Sequence, residues 1–478
     1  MVSSSDPRSD PRNPGLDWRQ VQHITLDSRE VVPGSLFLAL PGTQVDGARF
    51  AHQAAARGAT AILLDADTPT GLIPQGPQIL LSKTPLADGA ALAAQFFAAA
   101  PDCAGAVTGT NGKTSVTWFA QHLLEAAQKP TVSLGTLGLR PAHLGSLPAL
   151  TSPDPVSLHR SLKTACDQGF THLVMEASSH GLDQHRLDGL RFDALAFTNL
   201  TQDHLDYHGD MEAYARAKLR LLDLKKPGGQ TIANADDPVF GKLIASDLAG
   251  WSYGHQGKEG RILTLKPTSR GLHLKTADFD LELPLIGEFQ ASNLLCAWLM
   301  TRALGAETAE YLPRVQAIPG RMQAVAQHIH GGLVIVDYAH TPNALETVLS
   351  AARAHTPGKL FCVFGAGGNR DQAKRPLMGE AAHRLADHCL ITDDNPRNED
   401  PADIRRQIAA ACPKALQIGD RESAIASALE QAGAGDLILI AGKGHETGQI
   451  IGEQSLAFDD REVARRLAQQ TSHWQALP

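Results

Sequence analysis

The segment V-T-G-T-N-G-K-T-S at residues 107–115 has the residue types and spacing of a phosphate-binding loop. Glycine frees the backbone, so that successive N–H groups can turn toward phosphate oxygens, and the N-terminus of a following helix adds a positive dipole end. The common pattern G-x-x-x-x-G-K-[ST] requires glycine at 107, where this chain has valine and places glycine at 109. We interpret the loop as a shortened variant, in which Lys113 contacts phosphates and Thr114 binds Mg²⁺.

Two further segments place polar residues directly after apolar runs. Glu176 opens the sequence E-A-S-S-H-G-L-D-Q-H-R, and His204 lies in the sequence F-T-N-L-T-Q-D-H that begins at residue 197. Carboxylates and imidazoles at strand ends are suited to hold a ligand or a cation. Taken singly, Glu176 fits a surface carboxylate, His204 a structural histidine and Lys218 a solvated surface lysine. The sequence alone leaves these alternatives open.

Three polar clusters follow predicted strands in the last third of the chain. They are G-A-G-G-N-R-D at 365–371, D-D-N-P-R-N-E-D at 393–400 and A-G-K-G-H-E at 441–446. Arg370 and Arg397 carry planar guanidinium groups that suit carboxylates, and Glu446 can pair with an ammonium. This combination favours an amino-acid pocket, with three ordinary surface turns as the alternative.

Alternating strands and helices must position these segments. Short apolar runs at 36–40 and 61–64, with a helix at 50–57, predict a small α/β domain. Strands at 172–176, 194–198 and 230–233 and helices at 115–127, 211–222 and 289–304 predict a second domain, with an antiparallel patch at 261–285. Strands at 333–336, 360–364, 389–392 and 437–440, alternating with helices that include 343–354 and 402–411, predict a Rossmann-like parallel sheet.

We therefore predict an α/β fold of three domains: a small N-terminal domain, a central phosphate-loop ATPase domain with a mostly parallel sheet, and a Rossmann-like C-terminal domain. The predicted limits are 19–100, 101–320 and 321–478, after a flexible tail at 1–18.

Composition excludes several classes of protein. The chain of 478 residues is 43% apolar and has a formal net charge of -8, which argues against a surface that coats nucleic acid. The polar, proline-rich N-terminus lacks the apolar core of a secretory signal, and no apolar run reaches the length of a membrane helix. Six cysteines without C-x-x-C spacing favour free thiols in a reducing compartment. We expect a cytoplasmic protein without membrane insertion.

Together, the motifs at 107–115, 174–186, 197–208, 365–371, 393–400 and 441–446 resemble those of the Mur ligase family over residues 20–465. The likeness is strongest to the members that add the third amino acid of the peptidoglycan stem peptide. D-N-P-R at 394–397 resembles the signature of members that select meso-diaminopimelate, whereas lysine-adding members usually lack the arginine. The distal carboxylate of diaminopimelate, absent from lysine, would match Arg397.

The resemblance implies binding sites for ATP, for two Mg²⁺ ions and for a UDP-linked muramoyl dipeptide. It implies that Thr114 and Glu176 hold one Mg²⁺ and His204 the other, and that Lys218 is carbamylated to N6-carboxylysine and so becomes a metal ligand. Lys113, Glu176, His204 and Lys218 are then the catalytic set. The ATP-binding residues implied are Gly109, Thr110, Asn111, Gly112, Lys113, Thr114, Ser115, Asn293, Arg321 and Asp337, with Asp337 near the ribose.

The same resemblance implies the positions of the two other substrates. The UDP-substrate residues implied are Ser28, Thr43, Gln44, Val45, Thr151, Ser152, Ser178, Gln184 and Arg186. The diaminopimelate residues implied are Arg370, Asp394, Asn395, Pro396, Arg397, Gly442 and Glu446.

Three positions depart from the family pattern without removing a charged or metal-binding group. Ser152 and Ser115 replace threonines, and Gln290 replaces an asparagine while Asn293 remains.

The activity implied is an ATP-dependent ligation through an acyl-phosphate, by a monomer that acts on small molecules and binds no nucleic acid. The nearest alternative is the same reaction with L-lysine. More distant ones are a folylpolyglutamate or cyanophycin synthetase, which the first domain and the D-N-P-R segment disfavour, and a nucleotide-gated binding or transport protein. That last protein would hydrolyse ATP without needing an amino acid.

Overall fold

The computed structural model describes residues 16–42, 45–145, 151–246 and 248–477. By compactness the chain divides into two units, one formed by residues 1–260 and 295–308 and the other by 261–294 and 309–478. Three mostly parallel sheets form the framework, two in the first unit and one in the second. The predicted α/β class with three domains is confirmed, while the predicted domain limits and the tail at 1–18 stay predictions.

The first sheet is small and wholly parallel, in the order β1-β2-β3-β4. Its inner residues, such as Leu36, Ile62 and Leu63, are almost fully buried, because helices cover the sheet. Pro85 starts the second helix, at a position where the N–H that proline lacks has no helical partner. The elements are β1 His23–Thr25, β2 Ser35–Leu38, α1 Ala51–Ala56, β3 Ala59–Asp65, β4 Gln78–Ser82 and α2 Pro85–Phe97.

The second sheet has eight strands in the order β12-β11-β10-β9-β5-β8-β6-β7. The pairs from β11 to β6 are parallel, and β7 turns back antiparallel to β6. Parallel strands end at one edge, so the loops after β5, β8 and β9 lie side by side. The strands are β5 Cys103–Thr108, β6 Thr131–Gly135, β7 Gly138–Arg140, β8 His172–Glu176, β9 Phe192–Phe197, β10 Lys225–Asn234, β11 Trp251–Gly254 and β12 Gly260–Arg261.

Helices on this sheet begin at recognisable caps. Asp154 accepts a hydrogen bond from Ser157 N, and Asp210 accepts one from Ala213 N. The predicted helix 211–222 is α-helical only to Leu219 and continues as a 3₁₀ helix, Arg220–Leu224, before β10 starts. The helices are α3 Lys113–Ala126, α4 Pro155–Asp167, α5 Ser179–Asp183, α6 Leu205–His208, α7 Met211–Leu219, α8 Gly241–Ala245 and α9 Glu288–Ala303.

The second unit contains the predicted antiparallel patch as a three-stranded sheet. Its larger sheet has the order β20-β19-β18-β21-β17-β16-β24, in which the first five strands are parallel and β16 and β24 pair antiparallel. The strands are β13 Thr264–Thr268, β14 Gly271–Lys275, β15 Asp280–Leu283, β16 Gln323–His328, β17 Leu333–Asp337, β18 Leu360–Phe364, β19 His388–Ile391, β20 Leu416–Gln417, β21 Leu437–Ala441, β22 Gly448–Ile451, β23 Gln454–Ala457 and β24 Trp474–Ala476.

Apolar cores cover both faces of that larger sheet. Ile335, Cys362 and Leu439 face one core, whereas Val334 and Ile438 face the other, because successive strand residues point to opposite sides. The antiparallel hairpin formed by β22 and β23 follows β21. The helices are α10 Pro342–Ala354, α11 Lys374–Leu385, α12 Pro401–Ala409, α13 Arg421–Gln431 and α14 Asp460–Gln469.

Candidate functional site

The loop between β5 and α3 adopts a conformation that only glycine allows at two positions. Gly109 has φ +152°, and a Cβ there would lie 1.8 Å from Thr198 Oγ1. Gly112, with φ +87°, precedes α3 in the left-handed region, and no side chain caps that helix. The first N–H groups of α3 therefore stay available to an anion, as the sequence predicts.

The neighbouring strand end fixes this loop. Thr110 N donates to Asn199 O at 2.7 Å and Asn111 N to Asn199 Oδ1 at 3.0 Å. Thr198 Oγ1 donates to Asn111 O at 2.5 Å. Asn199 and Thr198 were not among the predicted site residues. Their position directly after a buried strand was the available signal.

Two lysines lie against the same loop carbonyl. Lys113 Nζ donates to Gly109 O at 2.9 Å and to Thr110 O at 2.8 Å, and Lys218 Nζ donates to Gly109 O at 2.7 Å. Lys218 is 1% exposed, so the interpretation as a surface lysine is wrong. Burial, together with the nearby charge of Lys113, lowers the pKa of Lys218 to about 6. A pKa this low favours the neutral, nucleophilic form of the amine near pH 7.

Glu176 ends β8 with its carboxylate buried. Its two oxygens accept hydrogen bonds from Thr136 N at 2.8 Å and Thr136 Oγ1 at 3.1 Å, and Thr114 also hydrogen-bonds to it. Burial raises the pKa of Glu176, against the lowering influence of Lys113 and of these hydrogen bonds. A Cβ on Gly135 would lie 2.2 Å from Glu176 Oε1. Glu176 is therefore a buried carboxylate that is hydrogen-bonded beside the phosphate loop. The interpretation of Glu176 as a surface carboxylate is wrong.

Three histidines and two tyrosines form an aromatic cluster beside the loop. The ring of His180 lies 4.9 Å from that of His204 and 4.2 Å from that of Tyr207. The ring of Tyr214 lies 5.2 Å from that of His208, while its hydroxyl is 3.2 Å from Thr110 Oγ1 and its face is 4.4 Å from Lys218 Nζ. Tyr214 thus connects His204, Lys218 and the loop, although sequence reasoning did not single it out.

The residues present fit the oxygen-rich binding of Mg²⁺ at one position. The contact between Thr114 and Glu176 brings a hydroxyl and a carboxylate together, and Mg²⁺ is typically held by few carboxylates together with waters and phosphate oxygens. At the second position His204 is half exposed and lies 3.5 Å from Asp203. Lys218 as an ammonium is a donor and would need carbamylation to hold a cation. Across the described residues, no cluster of three or more His, Cys, Asp or Glu side chains forms a metal site.

The predicted UDP-substrate residues divide into a connected group and scattered ones. Ser152 Oγ donates to Glu176 O at 3.1 Å and accepts from Ser178 N at 3.0 Å. Arg186 donates to Ser152 O at 2.8 Å and holds Gln184 Oε1 in a two-pronged contact. These four residues thus form one hydrogen-bonded group that is joined to Glu176 through its backbone carbonyl.

The remaining predicted UDP-substrate residues lie outside that group. Ser28 donates to Gln53 at 2.9 Å, and Val45 is exposed. Thr151 precedes Ser152 and is partly buried. Thr43 and Gln44 lie outside the described residues.

In the second unit, the loops after β18 and β19 pack on one another. Gly368 N donates to Asn395 O at 2.9 Å, and Arg397 Nη1 donates to Gly368 O at 2.9 Å. Arg397, at φ +51°, is also joined to Ile451 of the hairpin by a β-bridge. Arg370 is exposed beside Gly367. The loops after β18 and β19 are therefore not separate surface turns, because hydrogen bonds join them.

The loop after β21 completes this edge. Asn395 Nδ2 donates to Glu446 Oε2 at 3.0 Å. A Cβ on Gly442, at φ +121°, would lie 2.5 Å from Asp394 Oδ2, a buried oxygen without a hydrogen-bond partner among the described residues. Pro396 is buried in the same turn. A carboxylate oxygen that has no hydrogen-bond partner and lies beside a glycine is suited to accept a hydrogen bond from an ammonium group.

The other predicted nucleotide residues of this unit have local partners. Asp337 is buried and accepts hydrogen bonds from Met322 N at 2.7 Å and Ala339 N at 2.8 Å, and burial raises its pKa. The guanidinium of Arg321 lies 4.6 Å from the centre of the Tyr338 ring. Asn293 on α9 donates to the side chain of Gln290 at 3.0 Å. Gln290, which departs from the family pattern, therefore hydrogen-bonds to Asn293, which matches it.

The sheet order, the glycine loop before α3 and the buried Glu176 define an α/β protein of the phosphate-loop nucleotide-binding class. Family models match three consecutive stretches: "Mur ligase family, catalytic domain" over residues 20–100, "Mur ligase middle domain" over 107–301 and "Mur ligase, glutamate ligase domain" over 320–444. The chain belongs to the Mur ligase family.

Curated relatives match over almost their whole length. Two proteins named UDP-N-acetylmuramoyl-L-alanyl-D-glutamate--2,6-diaminopimelate ligase are similar to this chain. The one from Caulobacter vibrioides is 45% identical over 91% of this chain and 93% of its own length. The one from Mesorhizobium japonicum is 44% identical over 93% and 94%.

Solved structures agree with this family membership. A structure of UDP-N-acetylmuramoyl-L-alanyl-D-glutamate--2,6-diaminopimelate ligase aligns with a TM-score of 0.70 at 33% identity, covering 95% of this chain and 96% of that one. The MurF ligase of Thermotoga maritima in complex with ADP aligns with a TM-score of 0.59 at 20% identity, over 89% of this chain and 95% of the other, which shows a shared fold. Within the described residues, no helix is long and apolar enough to cross a membrane.

Proposed function

We propose that this protein is an ATP-dependent ligase that adds meso-2,6-diaminopimelate to UDP-N-acetylmuramoyl-L-alanyl-D-glutamate in peptidoglycan precursor synthesis. The observation that carries the proposal is the presence in one chain of a phosphate loop with buried Glu176 and of two bonded loops that carry Arg397, Asp394 and Glu446. Relatives that bear this ligase name match over more than nine tenths of the chain.

The proposed reaction has two steps. An oxygen of the free D-glutamate carboxylate attacks the γ-phosphorus of ATP, so that ADP leaves and an acyl-phosphate forms. The neutral amine of diaminopimelate then attacks the acyl carbon, phosphate leaves, and the nitrogen loses a proton. Lys113 and the first N–H groups of α3 stabilise charge on the transferring phosphoryl group. ATP contacts from Asn293, Arg321 and Asp337 are part of the proposal.

Mg²⁺, when bound, neutralises phosphate charge and polarises the oxygens of the transferring group. Thr114 and Glu176 would hold one ion, because their oxygens are already in contact. His204 and carbamylated Lys218 would hold the other. Carbamylation forms a bond from the neutral Lys218 nitrogen to the carbon of CO₂ and releases one proton, and the low pKa of that amine supports it.

The amino-acid side of the proposal rests on charge matching. Arg397 and Arg370 provide guanidinium groups for the distal carboxylate of diaminopimelate, and Asp394 and Glu446 provide acceptors for its ammonium. The hydrogen-bonded group of Ser152, Ser178, Gln184 and Arg186 would contact the UDP-linked substrate. A cytoplasmic, monomeric protein that uses only small-molecule substrates completes the proposal, since ATP and nucleotide-sugar precursors are cytoplasmic.

A substrate panel tests this function. UDP-muramoyl dipeptide and ATP are combined with meso-diaminopimelate, L-lysine or no amino acid, and phosphate release and product mass are measured. We expect diaminopimelate-dependent product and little phosphate release without an amino acid. Product with lysine and none with diaminopimelate would replace the substrate assignment. Phosphate release that needs no amino acid, without product, would favour a nucleotide-gated hydrolase.

A further inference from the structure

Lys443 is a fully buried lysine in the loop after β21, with 0% of its side chain exposed. Its ammonium lies 2.6 Å from Gly448 O, 3.2 Å from Asn395 Oδ1 and 3.2 Å from Glu446 Oε2. A lysine ammonium has three donors, and here each has an acceptor. The three acceptors belong to three different segments, so Lys443 connects the loop after β19, the loop after β21 and the hairpin.

These contacts determine the orientation of the Asn395 amide. Asn395 Oδ1 accepts from Lys443 Nζ and from Ile450 N at 2.9 Å, so its Nδ2 must point the other way. Nδ2 donates to Glu446 Oε2 at 3.0 Å. A flipped amide would place its N–H groups against the ammonium of Lys443 and the backbone N–H of Ile450. The hydrogen bonds of Asn395 with Lys443, Ile450 and Glu446 would then all be lost.

Glu446 consequently has one held oxygen and one open oxygen. Its Oε2 accepts from both Asn395 and Lys443, whereas Oε1 accepts no hydrogen bond from any described residue. The side chain of Glu446 is 35% exposed, in contrast to the buried Lys443. A carboxylate fixed through one oxygen presents the other in a set direction.

We propose that Lys443 is a positioning residue for the incoming amino acid, which acts by orienting Glu446 so that Oε1 accepts the ammonium of that amino acid. This inference rests on the proposed function, because it assigns an amino acid to this edge. The ammonium of Lys443 offsets part of the negative charge of Glu446. Once the amino group of the ligand is bound, the carboxylate therefore needs no further cation. Binding of the amino acid should therefore depend on Lys443, whereas phosphoryl transfer from ATP should not depend on it.

The test compares steady-state constants for the wild type, K443M, E446Q and the double variant K443M/E446Q, with K414M as a control at an exposed lysine. We expect K443M to raise KM for the amino acid about tenfold or more, the scale of a lost hydrogen bond to a charged group. The kcat should stay within about twofold, as expected when only uniform binding is lost. KM for ATP should not change, and K414M should match the wild type.

The double variant separates positioning from general support of the fold. If Lys443 acts through Glu446, K443M should add little to the KM of E446Q, because the oriented carboxylate is already gone. If the two effects multiply, Lys443 supports the loop independently and the inference is overturned. An unchanged KM in K443M overturns it as well.

Failure of the wider function gives a different result. A wild type that ligates no amino acid overturns both proposals, whereas a wild type that ligates while K443M retains its KM overturns only the role of Lys443. Should K443M lack a cooperative melting transition, K443Q, which keeps N–H donors on a shorter side chain, replaces it in the same cycle.

Discussion

In the first unit, Glu176 and Lys218 are each 1% exposed and form no ion pair with any described residue. In the second unit, three buried cations each form an ion pair with a carboxylate: Arg375, Arg421 and Lys443. Arg421 contacts Asp460 at 2.7 Å with both side chains fully buried. The pKa values follow this difference, since burial raises that of Glu176 and lowers that of Lys218 to about 6.

The difference indicates two ways of preparing a site. At the phosphate-loop edge, the buried Glu176 has hydrogen-bond donors but no ion pair with a described residue, and the low pKa of Lys218 favours an uncharged amine, so a bound cation would complete the electrostatics of Glu176. At the edge that carries Asn395 and Glu446, ion pairs compensate the buried cations Arg375, Arg421 and Lys443, so the loops are held in place before a ligand arrives. Five variants probe this comparison.

The largest expected effect is from K113A. It removes the cation that contacts Gly109 O and Thr110 O, and we expect ATP-dependent ligation to fall about 10³-fold or more because charge on the transferring phosphoryl group loses the lysine of the loop. Phosphate release under saturating substrates measures it. K242A, at an exposed lysine of the same unit, is the control. Ligation within tenfold of the wild type would contradict the assigned role.

In the second unit, D460A should cause a large loss of stability. It leaves the Arg421 guanidinium buried without its carboxylate, and we expect unfolding free energy to fall by about 3–5 kcal/mol. Denaturant unfolding monitored by fluorescence measures this change. D403A breaks only the exposed pair with Arg406 and should cost less than about 1 kcal/mol. Equal losses in the two variants would show that the buried pair contributes no more to stability than the exposed pair does.

K218M should separate activity from stability in the first unit. We expect ligation to fall about 10²-fold, because a carbamate can no longer form. The melting temperature without ligands should not fall, because the variant removes a buried amine that is costly to charge. Intact mass of the wild type should show one added CO₂ that K218M lacks. A wild type without this mass at neutral pH and high bicarbonate would count against carbamylation.

R397A should affect amino-acid selection alone. We expect KM for diaminopimelate to rise about 10–100-fold, the scale of a lost charge-assisted contact, with KM for ATP unchanged. R384A, at an exposed arginine paired with Glu346, serves as the control. If the two KM values rose equally, Arg397 would support the fold and would not select the substrate.

The smallest effect concerns His159, which is buried in the first unit with neither ring nitrogen hydrogen-bonded to a described residue. Burial lowers its pKa to about 4. Between pH 6.5 and 4 the unfolded chain binds the extra proton, so His159 should reduce stability as pH falls through this window, by about 3 kcal/mol.

H159L should remove this part of the pH dependence, as measured by unfolding free energy at pH 7 and pH 4.5. The exposed His52 provides the control H52L. A wild type and H159L with parallel pH profiles would show that His159 is protonated within the fold.

Much of the phosphate-loop edge could be predicted from sequence because its signals are local. Residues 109–112 lie between a strand and a helix as predicted, although the helix starts at Lys113 and not at the predicted Ser115. The D-N-P-R segment follows a strand as predicted. The burial of Lys218 could not be predicted from residue type, since lysine is among the least buried residues. Tyr214, Asn199 and Lys443 were missed because their importance depends on partners far along the chain.

The binding roles of the individual residues remain predictions, and Thr43 and Gln44 lie outside the described residues. The departure from the family pattern at Gln290 leaves Asn293 with a hydrogen-bond partner, because the side chain of Gln290 accepts a hydrogen bond from it.

The sequence by itself determined the class of chemistry, because glycine conformations, helix N-termini and residue charges are local properties of consecutive residues. Only the tertiary structure decided which charges are buried alone and which are paired, because desolvation and pairing depend on segments that folding brings together. For that reason Glu176 and Lys218 appear as surface groups in the sequence but are buried beside the loop, while Lys443 holds Asn395 and Glu446 in place.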